Sequence, residues 1–419
     1  MQFLQRKVYL EVKKHIKSPE ISLILGPRQA GKTTIMLKLS EELESQGLAT
    51  AYFNLDVFED KQYFITQHTL LDRLEKLVGK GPAVVFIDEI HRLENAGLFL
   101  KGLYDLKPSY KFVASGSGSL ELKANIIEPM TGRKRIFLCL PLSFTEFAAN
   151  KLKVDFEQVT RVLDTNPYAC QRLTAEYFTY GGYPRVTLSE THKEKVATLA
   201  EIYKSYLEKD IQLLLKVEKG HAFETLVKIL ATQVGNLINR SELASTIGVT
   251  QKTVEKYLYL LEKTFVIFLL RPFFKDARRE LRKSPKAYFA DLGFLRLAQG
   301  TLPVSKPLLK GSLFENACFL RLKELNLLET PRFWRSHSGA EVDFVVTSPH
   351  TGEVIPIEAK VSPLKRQTLG KSLISFLQRY RPRQAYIYTK KTNLNFKRFG
   401  IPIRYLPFHF LPPALLKKS

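Results

Sequence analysis

The chain has 419 residues, is 45% hydrophobic and 25% charged, and carries a net charge of +23; that length calls for two or three globular domains, not one core. Its longest apolar runs, such as "FVIFLL" at 265–270, fall short of the roughly 20 residues of a membrane span, and "MQFLQRKVYLEVKKHIK" lacks the apolar stretch of a signal peptide, so a cytoplasmic protein with no membrane partner is expected. Cys139, Cys170 and Cys318 are scattered, which argues against a disulfide framework or a structural zinc site.

The first predicted strand is "ISLILG" at 21–26, followed by "GPRQAGKTT" and the helical pattern "IMLKLSEELESQG". Gly26, Gly31, Lys32 and Thr33 fit G-x-x-x-x-G-K-[ST] with the required strand before and helix after. Glycines let the loop backbone of Gly26, Pro27, Arg28, Gln29, Ala30 and Gly31 wrap around phosphates, its N–H groups, Pro27 excepted, turned inward. Lys32 would reach the β and γ oxygens, while Thr33, followed by Thr34 at the helix start, would ligate magnesium. ATP and Mg2+ are the expected cofactors.

A second apolar strand, "AVVFIDEI" at 83–90, ends in Asp88 and Glu89. Ligands gather at the carboxyl ends of parallel strands buried on both faces, so Asp88 is expected to hold the magnesium and Glu89 to act on the attacking water. A further strand, "YKFVASGSGS", delivers Ser115, Ser117 and Ser119 to the same edge, and Ser117 is taken as the γ-phosphate sensor.

"GPRQAGKTT", "VVFIDEI", "SGSGS", the Gly132-Arg133 pair, "LPLSFTEF" at 140–147 and "YGGYPRV" at 180–186 resemble the AAA+ ATPases of bacteria and archaea that carry a C-terminal domain of unknown function. The resemblance spans nearly the whole chain. It implies ATP binding and hydrolysis, with Arg133 reaching a nucleotide, as arginine fingers do from a neighbouring subunit of a homo-oligomer.

From about 145 to 235 helices joined by short polar connections are predicted, consistent with a helical lid, with a turn at Gly181 and Gly182. In "NRSELASTIGVTQKTVEKYLYLLEKTF" at 239–265 the apolar spacing fits a helix-turn-helix about Gly248. Ser241 and Thr250 are expected as N-caps, and Gln251, Lys252, Thr253 and Lys256 should face outward. The basic "VIFLLRPFFKDARRELRKSPKAYFAD" that follows is read as a wing.

The C-terminal part reads as an amphipathic helix, "GSLFENACFLRLKEL", three strands, "RFWRS", "AEVDFVV" and "VIPIEAKV", a helix and a strand "QAYIYTK". That order resembles the core of PD-(D/E)xK nucleases. A symmetric turn at "PHTG" (349–352) places Asp343 opposite Glu358 and Glu341 opposite Lys360 on one sheet face. Asp343 and Glu358, completed by Glu315 as the fold's pattern suggests, are the candidate metal ligands, and Lys360 would steady the developing charge.

From Ala359 to Ser419 there is no Asp or Glu, against fourteen Lys and Arg, and such a one-signed segment points to DNA as the partner. The expectation is an α/β protein in three parts: a P-loop AAA+ parallel-sheet domain (1–145), a helical and winged-helix middle (146–285), and a restriction-endonuclease-like α/β domain (286–419). Together they form an ATPase that acts on DNA, with metal-dependent cleavage at its end; the rival reading is a scaffolding ATPase whose end domain is inert and binds protein.

Overall fold

The computed structural model describes residues 3–118, 130–207, 220–273, 284–302, 311–327, 329–361 and 369–416. The N-terminal part is built on β1 (Ile21–Gly26), β2 (Ala49–Asn54), β3 (Ala83–Asp88), β4 (Tyr110–Ser117) and β5 (Lys134–Leu138). These pair in the order β2-β3-β4-β1-β5, every pair parallel. β1 and β3 are buried along their whole length, as their unbroken apolar runs require when helices cover both faces. α1 (Lys7–His15) and α2 (Lys32–Ser45) cover one face through Val12, Met36 and Leu39. Beyond the short α3 (Phe58–Lys61), α4 (Gln67–Val78) and α5 (Ala96–Asp105) cover the other through Leu70, Leu74, Leu100 and Leu103.

The middle is helical: α6 (Phe144–Leu152), α7 (Val159–Thr165), α8 (Pro167–Tyr180), α9 (Pro184–Leu188), α10 (His192–Ser205), α11 (Gly220–Thr232), α12 (Arg240–Ile247) and α13 (Gln251–Lys263). Ser143 and Glu146 close a capping box at the start of α6, which satisfies two otherwise orphaned donors. In the helix-turn-helix pair, Thr250 caps α13 through Thr253 N, as expected. The cap of α12 is Asn239, whose side chain accepts from the amides of Ser241 and Glu242, so Ser241 lies inside the helix. Gln251, Lys252 and Lys256 are exposed and Thr253 half-buried.

β6 (Ile267–Leu270) and β7 (Lys286–Phe289) pair antiparallel and lead into α14 (Leu292–Ala298) and α15 (Gly311–Lys323). Two expectations change here. The described part of the presumed wing is mostly interior, with β7 buried throughout and Arg271 exposed; Lys275, Arg278, Arg279, Arg282 and Lys283 lie outside the described residues. The boundary at 285/286 cuts between paired strands, since Leu270 stands opposite Lys286. Likewise α15 is buried nearly all round, including Asn316 and Arg321, because it lies between the sheet and the helical middle; it is not an amphipathic surface helix.

The C-terminal sheet contains β8 (Arg332–Arg335), β9 (Glu341–Thr347), β10 (Val354–Lys360), β11 (Ala385–Thr389), β12 (Leu394–Arg398) and β13 (Ile401–Pro407), in the order β12-β13-β11-β10-β9-β8. α16 (Lys371–Tyr380) covers one face through Leu373, Phe376 and Leu377, and α15 packs on the other through Phe319, which meets Phe344 of β9 at 6.2 Å. One apolar cluster runs from Leu142 through the helical middle to Tyr388 and Phe408, so the middle and the C-terminal part share a core. Phe408 meets Phe144 at 4.9 Å and Phe178 at 5.0 Å between ring centres.

Candidate functional site

The loop between β1 and α2 is shaped by two constraints. A Cβ on Gly26 would come within 1.9 Å of the Cys139 carbonyl oxygen, so only glycine lets β1 run this close to the segment after β5. Gln29 and Gly31 have φ of 59° and 95°, a left-handed backbone that turns successive N–H groups toward one concavity suited to an anion. Lys32 is buried and donates to the carbonyls of Gly26 (3.1 Å) and Pro27 (2.9 Å). Its ammonium therefore stands at the mouth of that concavity.

β4 lies between β1 and β3 and brings its serines beside Asp88. The buried Asp88 carboxylate accepts from Thr33 Oγ1 (2.6 Å) and Tyr52 Oη (2.8 Å) on one oxygen and from Ser115 Oγ on the other. A hydroxyl and a carboxylate this close form a hard-oxygen pair of the kind magnesium takes, so Thr33 and Asp88 fit that ion. Ser115, not Ser117, is the serine that meets Asp88. Ser117 Oγ lies 3.3 Å from His91 Nε2, and Ser119 is outside the described residues.

Glu89 follows at φ 55°, a left-handed conformation that a non-glycine residue holds only when its surroundings fix it. Its Oε2 is 3.0 Å from His91 Nδ1. Burial pushes the Glu89 carboxyl up, and His91, Lys32 and Arg28 more than offset this, leaving it below the ordinary value. It is a charged base at neutral pH.

These groups border a cavity of about 480 Å³ whose other wall holds Arg6, Pro184, Arg185 and Leu188. Arg185 donates to Gln29 Oε1 of the loop at 3.0 Å and to both Glu201 oxygens at 3.0 and 3.1 Å. It is brought there by the Gly-Gly turn: a Cβ on Gly182 would lie 2.1 Å from Leu142 O, and α9 starts at once with Pro184. Arg185 lies in the "YGGYPRV" segment noted in the sequence, but it was not singled out. Arg6 is committed elsewhere, to Ala30 O at 2.8 Å, Leu140 O and Glu146.

Arg133 is not in this cavity. Its carbonyl accepts from Ile21 N, at the opposite end of β1 from the loop, and its side chain pairs with Asp105 at 2.8 Å. Five strand residues of roughly 3.3 Å each separate it from Gly26, so it does not reach a nucleotide on its own P-loop.

In the C-terminal sheet, Thr347 stands opposite Val354 and Phe344 opposite Ile357, the register expected from the "PHTG" turn, which brings Asp343 next to Glu358. Asp343 accepts from Ala359 N at 2.8 Å. Lys360 Nζ lies 3.2 Å from Glu358 Oε2. Glu341 turns to Lys286 and to Arg335 (3.2 Å) instead of Lys360. Glu315 accepts from Tyr288 Oη at 2.6 Å and sits 3.8 Å from Lys286.

Burial, with Asp343 adding repulsion against the pull of Lys360, pushes Glu358 up to about 7. Burial and Asp343 likewise push Glu315 up to about 7. Among the described residues no three His, Cys, Asp or Glu side chains are grouped to hold a metal ion. Glu315 is held by Tyr288 and Lys286, while Asp343 and Glu358 lie on neighbouring strands with Lys360 beside them.

An AAA domain model matches residues 18–148, and two domains of unknown function, DUF8612 and DUF4143, match 171–304 and 310–407; the last two meet between 304 and 310. An uncharacterized protein of Haemophilus influenzae is 28% identical over 310 residues, covering 71% of this chain and 74% of its own. One of Methanocaldococcus jannaschii is 25% identical over 338 residues, covering 78% and 72%. Among solved structures, AMPPCP-bound DnaA from Aquifex aeolicus aligns at TM-score 0.27 and 14% identity over 62% of this chain and 90% of its own. The Pif1 helicase from Candida albicans aligns at 0.26 and 14% over 39% and 47%. Neither score supports an argument about fold or function. Among the described residues no helix is long and apolar enough to cross a membrane. The parallel sheet, the phosphate loop upon it and the match of residues 18–148 to an AAA domain model agree on a P-loop fold of AAA type for this part of the chain.

Proposed function

We propose that the protein binds and hydrolyses ATP in the cavity between the P-loop and α9, and that this ATPase works on DNA held by its basic C-terminal part. The observation that carries the reading is the convergence on one cavity of Lys32, the charged Glu89 and Thr33, whose hydroxyl donates to Asp88 behind it. Lys32 would exchange its two carbonyl partners for the β and γ oxygens of the nucleotide. Magnesium held by Thr33 and Asp88 would neutralise charge on those oxygens. Glu89 orients the attacking water and takes its proton, and His91 fixes the carboxylate while linking it to Ser117. Arg185 gives up Glu201 to meet the phosphates from the helical side, and Arg133 is left for a nucleotide of a neighbouring copy in a homo-oligomer.

A second activity, metal-dependent DNA cleavage by Asp343, Glu358 and Lys360, is favoured by the juxtaposition of the buried Glu358 and the half-buried Asp343 beside a lysine. An inert end domain that only binds protein has no need of that arrangement.

Lys32→Ala is expected to abolish nucleotide binding in calorimetry, because its ammonium contacts the bound phosphates. Glu89→Gln should bind ATP and release phosphate at least a hundredfold more slowly, since its role is in the transition state. Wild-type turnover in the glutamine variant would remove Glu89 from this role.

A further inference from the structure

We propose that the β12–β13 hairpin is a single-strand binding element, its edge following the phosphate backbone and Phe399 at its tip stacking on a base. The proposal rests on the reading that the protein acts on DNA. Arg398 stands opposite Ile401, so the turn has two residues, Phe399 and Gly400, with φ of 54° and 75°. Positive φ at both central positions defines a type I′ turn, which favours Asn, Asp or Gly at the first. Phenylalanine there is strained, and the residue is 52% exposed. The Arg398 guanidinium lies over the ring at 5.1 Å from its centre, and the exposed remainder of the ring suits a sequence-tolerant stacking platform.

The hairpin beneath the tip is anchored. Phe396 packs on Tyr405 at 5.6 Å, and Ile401 and Ile403 are in the core under α16. Lys390, Lys391, Lys397, Arg398 and Arg404 are all exposed, and none of the five forms an ion pair among the described residues, whereas nearby Arg383 pairs with Glu353 at 2.7 Å. No acid occurs from residue 359 onward to compensate them. Lysines also guard edge strands against pairing, but that purpose would not place an exposed aromatic at the turn.

Position favours a strand and not a protein. Lys360 stands opposite Thr389, so Lys390 and Lys391 continue from the end of the sheet that holds Asp343 and Glu358. β12 then runs along the edge for five residues, about 17 Å, to Phe399. At 3.4 Å per nucleotide that is roughly five nucleotides of a strand.

The test uses the full chain with a labelled single-stranded 20-mer and a blunt duplex, and ATP hydrolysis as the control for folding. Phe399→Asn suits the left-handed turn, so the variant is expected to fold and hydrolyse ATP like wild type, lose about fivefold or more in single-strand affinity, and bind duplex almost unchanged. Lys397→Ala with Arg398→Ala should weaken both DNAs and lower the salt slope on the single strand by about 1.4. Undiminished single-strand binding by Phe399→Asn would overturn the tip contact. If the double variant aggregates yet binds DNA as before, the basic edge only guards the strand and the proposal falls. Wild-type protein that binds neither DNA would instead sink the DNA reading itself.

Discussion

Glu358 shows how far one side chain can be argued from its surroundings. Its carboxyl, buried and facing Asp343, is pushed up to about 7 from an ordinary value of 4.5. The folded chain therefore holds a proton there that the unfolded chain has lost, and stability falls as pH rises from about 4.5 to 7. Above pH 7 the buried charge is fully present and destabilising. Glu358→Gln keeps the shape without the charge, so it should raise stability at pH 8 by about 1–3 kcal/mol, and by much less at pH 5. The same change should abolish any magnesium- or manganese-dependent DNA cleavage, with ATP hydrolysis intact. Lys360→Ala should slow cleavage about a hundredfold with the metal still bound. Chemical denaturation at the two pH values and a cleavage assay decide it. A protein that binds DNA, hydrolyses ATP and cuts nothing would leave the pair as a structural relic.

What was legible at this scale was what is local in sequence. Gly26 to Thr34 and the Asp88-Glu89 pair could be read because a strand, a turn and a helix start fix those side chains within a few residues. The choice between Ser115 and Ser117 depended on strand pleat beside β3, and Arg133 on which end of β1 it meets; neither is carried by a motif. Arg185 was hidden more deeply. Its place depends on Gly182 packing on Leu142, and Gly182 N donates at 2.7 Å to Asp291, more than a hundred residues further on.

At the scale of elements, that Asp291 contact ties two segments. Its carboxylate caps α14 by accepting from Phe294 N at 2.8 Å and also takes the buried Gly182 N–H. A Cβ on Gly181 would fall 2.2 Å from that carboxylate. Asp291→Ala removes a cap, worth about 1 kcal/mol, and orphans a buried donor at about 1–3 kcal/mol more. A loss of roughly 2–4 kcal/mol in urea denaturation is expected. ATP affinity should weaken too, because α9 and Arg185 start from the turn that Asp291 holds; unchanged affinity would detach that turn from the site. Helices and strands here followed periodicity well, with one instructive exception: α15 carries Arg321 and Asn316 on faces that a pattern reader assigns to solvent, and both are satisfied by partners far away in sequence.

For the molecule as a whole, those distant partners decide how the parts hold together. Arg321 is fully buried and donates to Glu324 at 2.6 Å, Thr145 Oγ1 at 2.9 Å and the carbonyls of Phe408 (3.2 Å) and His409 (2.9 Å). Glu324 in turn accepts from Phe144 N at 3.1 Å and Thr145 Oγ1 at 2.6 Å, so α15 caps the start of α6. Through Glu146, α6 also holds Arg6, which bonds the P-loop carbonyl of Ala30. One hydrogen-bonded path thus links the phosphate loop to the helix that carries Glu315. Arg321→Met leaves Glu324 buried without its cation, a loss of about 3–5 kcal/mol. The single tryptophan, Trp334, is buried against Phe376 in the C-terminal sheet and reports on that part alone, while nucleotide binding reports on the other. With the C-terminal part and the helical middle on one core and the middle tied to the phosphate loop through Glu146, Arg6 and Ala30, urea should abolish both signals at one midpoint, and Arg321→Met should lower that midpoint for both together. If Arg321→Met lowers the urea midpoint of nucleotide binding while Trp334 keeps its wild-type midpoint, the C-terminal sheet folds by itself, and the buried cluster joining it to the helical middle adds no cooperativity.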